Sequence, residues 1–106
     1  MQELRLSIRS AGNTRIPALH ALRAKGYTLS IWYTRDDDGG LVPQYDAEKD
    51  RRAFSATSPE ELLGLVAMWE VRGDDWRLKA GESELYDRLV EEAPVYDSEG
   101  NLVDGQ

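Results

Sequence analysis

The stretch "SPEELLGLVAMWEVRG", Ser58 to Gly73, constrains the fold more than any other part of the chain. Its start carries helix-capping chemistry. Ser58 can accept an orphan backbone N–H, Pro59 suits the first helical position, and Glu61 completes a capping box. Gly73 supplies the stop. Wound at about 100° per residue, Leu62, Leu65, Val66 and Trp69 fall within roughly 100° of arc, a face made for a sheet. The opposite side lacks the charged stripe of an exposed helix and holds Gly64, Ala67 and Val71, with Met68 to one side. Glycine inside a helix costs about 1 kcal/mol relative to alanine, so close approach of another backbone is expected at Gly64. The chain's last helix, a partner or a second copy could supply that backbone.

The sheet such a helix needs is legible upstream. "LRLSIRS" alternates Leu4, Leu6 and Ile8 with Arg5, Ser7 and Arg9, the period of a half-buried strand. "AGNTRIPALHALRAKG" reads as a helix capped by Asn13 or Thr14, with Ile16, Leu19 and Leu22 on one face and Gly26 as its stop. "YTLSIWYTR" (27–35) is a strand, with Leu29, Ile31 and Tyr33 on one side and Trp32 on the other. "DDDGG" is a turn by composition. "LVPQYDAE" and "RRAFSAT" then form a hairpin about Lys49-Asp50, with Pro43 at an edge or a strand start. "ESELYDRLVEEA" is an amphipathic helix through Leu85, Tyr86, Leu89 and Val90.

The expected fold class is α+β: a single domain over residues 1–94, order β-α-β-β-β-α-α. Its mostly antiparallel sheet has three to four strands, with about three helices packed on it. The first β-α-β could instead be a right-handed parallel crossover. Residues 95–106 are expected as a tail or a small hairpin.

Charge narrows function. The net charge is −7, unevenly spread. Residues 1–35 hold six basic residues against Glu3 alone, and residues 36–106 hold seven against nineteen acidic ones. An acidic majority disfavours direct nucleic-acid binding, which needs a coherent basic patch; it reads either as a solvated face that aids solubility or as a surface that attracts a basic protein partner. With no cysteine, disulfides, thiolate zinc sites and cysteine nucleophiles are excluded. The opening residues lack the apolar core of a signal peptide, and no apolar run approaches the ~18 residues of a membrane span, so a cytoplasmic location is expected.

Catalytic signatures are missing from the pattern. His20 is the only histidine, and nothing specifies a nucleophile within its reach. "DDDGG" fails the calcium-loop pattern, since counting from Asp36 puts Ala47 where a bidentate Glu belongs. Ala47 likewise stands where a nuclease motif ending at Lys49 would need an acid. No phosphate loop occurs. No catalytic residue, metal site or cofactor is therefore expected. The rival enzyme reading would use Asp46, Glu48 and His20, and a third reading is a homodimer subunit joined through the Gly64 side of the central helix.

"AEKDRRAFSATSPEELLGLVAMWEVRGDDW", Ala47 to Trp76, is similar to segments of small acidic bacterial proteins, some of which resemble immunity proteins of polymorphic toxin systems. That resemblance implies a non-enzymatic inhibitor that neutralises a basic toxin by surface complementarity. The protein-binding residues expected on this reading are Trp32, Asp36, Asp37, Asp38, Asp74, Asp75 and Trp76.

Overall fold

The computed structural model describes residues 3–103. A single 3-10 turn (Gly12–Thr14) leads into α1 (Arg15–Ala24), followed by β1 (Thr28–Arg35), β2 (Leu41–Lys49), β3 (Arg52–Ala56), α2 (Pro59–Arg72) and α3 (Ser83–Glu91). The strands form one antiparallel sheet in the order β1-β2-β3. The class is α+β, as the residue pattern implies. No helix among the described residues is long and apolar enough to cross a membrane.

The chain divides into two compact units, Met1–Asp75 and Trp76–Gln106, so the single domain expected over 1–94 spans both. The first unit holds the sheet, α1, α2 and the core. Leu22 of α1, Tyr27, Tyr45 and Ala47 of β2, and Leu62 and Val66 of α2 are buried together. Leu19, Leu29, Phe54, Ala56 and Leu63 pack around them. Leu22, Leu62 and Val66 are completely buried, and each such side chain contributes roughly 1.5–3 kcal/mol by leaving water. Tyr27 is buried with its ring edge on Phe54, and burial pushes its hydroxyl pKa up.

Three local expectations are corrected. Residues 4–10 form no strand, although their alternation is that of one. Leu4, Leu6 and Ile8 stay exposed and the segment pairs with no strand among the described residues; period-two patterning stabilises a strand only when a partner closes its ladder. Ile16 is also exposed, and α1 buries Ala18 and Leu22 instead. At Gly64, an added Cβ would find no atom within 4 Å, so the expected close approach does not occur among the described residues.

Capping at α2 follows the residue chemistry, with the Ser58 hydroxyl accepting the Glu61 N–H at 3.2 Å. At α1 the Thr14 side chain makes no cap; it donates to Glu60 Oε2 at 2.6 Å, tying the start of α1 to the start of α2. That bond holds the Glu60 carboxyl below its usual pKa. At the other end of the pair, Lys25 reaches Glu70 at 2.9 Å.

The sheet is uneven in length. β3 pairs only with Tyr45–Lys49, whereas β1 pairs with Leu41–Glu48. Past Tyr45 the two strands continue as a two-stranded arm. Pro43 accounts for this, since its missing N–H would be needed to continue a ladder toward β3. The β2–β3 turn is a two-residue reversal with Asp50 (φ 51°) and Arg51 (φ 67°) both left-handed, the geometry of a type I′ hairpin turn.

In the second unit, Asp97 organises a small hairpin. Its Oδ1 accepts the N–H groups of Glu99 (2.9 Å) and Asn101 (2.8 Å), and Tyr96 bridges to Leu102. These bonds hold the Asp97 carboxyl below its ordinary pKa.

Candidate functional site

The register sorts the sheet residues into two faces. Leu29, Ile31, Tyr33, Pro43, Tyr45, Ala47, Phe54 and Ala56 share the face that carries the core. The alternate residues, Ser30, Trp32, Thr34, Val42, Gln44, Asp46, Glu48, Ala53 and Ser55, share the other, away from the core. This second face carries two carboxylates, no basic residue and one large aromatic group.

That aromatic group is Trp32, and its place is specific. Trp32 is about half-exposed, at 47%. It stands opposite Gln44 and diagonal to Asp46, so its indole N–H donates across the strands to Asp46 Oδ2 at 3.0 Å. The second carboxylate oxygen, Asp46 Oδ1, is buried without a hydrogen-bond partner among the described residues. The hydrogen bond fixes the ring in one orientation while leaving half its area open, the form of a preorganised anchor.

The arm ends in the turn Asp36–Gly40. Asp36 is occupied in building it. Its Oδ1 accepts the N–H groups of Asp38 (3.0 Å) and Gly40 (2.7 Å), and its own N–H donates to the Gly40 carbonyl at 2.8 Å. Arg35 closes the turn through a 2.8 Å bond to the Gly39 carbonyl. Asp37 and Asp38 remain exposed at the tip. Trp32, Asp37 and Asp38 therefore belong to one arm of the sheet, with Asp36 as the residue that shapes its end.

Asp74 serves the fold from within the first unit. Arg52 grips it with two nitrogens, Nε to Oδ1 at 2.7 Å and Nη2 to Oδ2 at 2.6 Å, and the Trp69 indole N–H donates to Oδ1 at 2.7 Å. The Arg52 guanidinium lies 5.0 Å over the Trp69 ring, which in turn packs on Phe54. Together these partners hold the Asp74 carboxyl far below its ordinary pKa and raise that of Arg52. The clamp ties the end of α2 to β3. Residue pattern alone gave Arg52 and Trp69 no such role; the only signal was an acid immediately after the Gly73 stop. Asp75 is exposed and ends the first unit. Trp76 opens the second unit, with the Arg77 guanidinium 4.8 Å over its ring.

The enzyme constellation is not assembled. His20 is exposed on α1, which packs on the core face, whereas Asp46 and Glu48 lie on the opposite face of the sheet. No group of three or more His, Cys, Asp or Glu side chains is placed to hold a metal among the described residues. Two hollows of the first unit, one bounded by Arg23, Tyr27, Thr28 and Leu29 and another by Asp50, Arg51, Arg52 and Asp74, open to solvent. Compared with known proteins, the chain matches no family model, no curated protein and no solved structure.

Proposed function

We propose that this chain is a non-enzymatic protein-binding module whose β1–β2 arm engages a basic protein, in the manner of an immunity-like inhibitor. The observation that carries the reading is the open sheet face. A half-exposed indole, held by Asp46, stands on a sheet face whose charged strand residues among those described, Asp46 and Glu48, are both negative, next to a tip bearing Asp37 and Asp38. Tryptophan held rigid at the centre of a patch is the residue type that most often dominates binding energy, and surrounding charge speeds encounter with an opposite partner.

The test is capture of a partner from cells at low and at high ionic strength, followed by kinetics with the purified pair. A basic protein should be recovered preferentially at low salt. Replacing Asp37 and Asp38 with Asn should slow association. Trp32→Ala should speed dissociation by about thirtyfold, the equivalent of the ~2 kcal/mol that marks an anchor residue. Wild-type kinetics in both variants would overturn the reading.

A further inference from the structure

The segment Leu4–Ser10 and the outer edge of β1 have complementary needs. The segment has the alternation of a strand, with Leu4, Leu6 and Ile8 exposed at 87%, 74% and 73%, and among the described residues it has no ladder to join. β1 is an edge strand of eight residues, long for an unprotected edge. At the arm's tip the Asp36 N–H donates to the Gly40 carbonyl. Backbone polarity alternates along an antiparallel strand, so Thr28, Ser30, Trp32 and Thr34 face β2, and Leu29, Ile31, Tyr33 and Arg35 turn their N–H and C=O groups outward. Among the described residues, these four residues of ladder stand open. On the core side of that edge, Ile31 and Tyr33 are exposed at 50% and 58%, with Leu41 beside them at 60%, because the arm outruns the core.

We infer that residues Leu4–Ser10 of one copy add as a strand along the outer edge of β1 of a second copy, giving a strand-exchanged homodimer. Strand addition satisfies the outward groups of β1 and of the segment together. The side chains fit by alternation. With Leu4, Leu6 and Ile8 turned to the Ile31 and Tyr33 side, Arg5 and Arg9 fall on the open face, which holds Asp46, Glu48 and the Trp32 ring and no cation of its own. A one-residue slip would instead place both arginines against the apolar side. The inference does not rest on the basic partner proposed above, although both use the β1–β2 arm, and its test uses the purified chain alone.

Sedimentation velocity across a wide concentration range tests it, with hydrogen exchange as a second readout. The full chain should pass from its 12.0 kDa monomer to a dimer as concentration rises, and the amides of residues 4–10 should gain protection in parallel. Leu6→Pro removes a ladder donor from a segment exposed in the monomer, so the variant should keep its circular dichroism spectrum and lose the dimer. A wild-type chain that stays monomeric at every concentration overturns the inference. So does a dimer that survives Leu6→Pro, which would lie elsewhere, or protection of residues 4–10 in the monomer, which would mean that the segment closes on its own chain.

Discussion

Gly64 gives the sharpest test of how this fold is held. It sits near the middle of α2, five residues past Pro59, with ordinary helical backbone and no atom within 4 Å of a would-be Cβ. Glycine here costs the helix backbone entropy and returns no packing. Gly64→Ala should therefore stabilise by about 1 kcal/mol, the propensity difference at an exposed helix interior. For a domain of this size that is a rise in Tm of roughly 4–8 °C. Urea and thermal unfolding followed by far-ultraviolet circular dichroism would measure it. The larger Gly64→Leu should also be neutral or stabilising, where a tight contact would cost ~1–3 kcal/mol through overpacking. Gly73 is the matched control, because its backbone (φ 82°, ψ −169°) is one that only glycine adopts readily. Gly73→Ala should destabilise by roughly 1–3 kcal/mol. If Gly64→Ala is neutral or harmful while Gly73→Ala behaves as stated, another surface occupies the Gly64 side of α2 in solution and the reasoning fails.

Two further outcomes follow from the turn and the clamp. Arg51 is exposed and left-handed in a turn that favours Asp-Gly, so Arg51→Gly should stabilise by about 1 kcal/mol in urea unfolding, and a loss of stability would refute the type I′ assignment. The folded pKa of Asp74 lies below its ordinary value of 3.8, so its contribution is present above that pH and is lost as pH falls toward the folded pKa. Asp74→Asn should melt below wild type at neutral pH, and the gap should narrow as the pH drops below that ordinary value; Glu60 and Asp97, shifted the same way, are common to both proteins and cancel. A gap that stays constant across this range would show that the clamp acts through geometry rather than charge.

Local chemistry made much of the fold legible in advance. Ser58, Pro59 and Gly73 bound α2 because caps and stops depend on neighbours along the chain. Leu62 and Val66 fall in the core because helical spacing alone puts them on one face. The alternation of residues 27–35 and the turn at Asp36–Gly40 likewise appear as written. Part of the candidate site was legible too, since Trp32 on the polar side of its strand and aspartates in the following turn are both readable from period two.

What the residues could not settle was which groups meet. Whether the alternation of Leu4, Leu6 and Ile8 becomes a strand depends on an edge to pair with, and no local signal supplies one. Whether Gly64 marks a close approach depends on what lies across from it, and the tertiary structure leaves that space open. Asp74 reads as a free loop acid until Arg52, twenty-two residues earlier, and the Trp69 indole are brought around it. Asp46 reads as a possible ligand until Trp32 is laid diagonally across it on the neighbouring strand. Periodicity and capping act over a few residues and are fixed by the chain itself, whereas pairing of edges, salt bridges and exposed rings is decided by contacts between segments far apart in sequence.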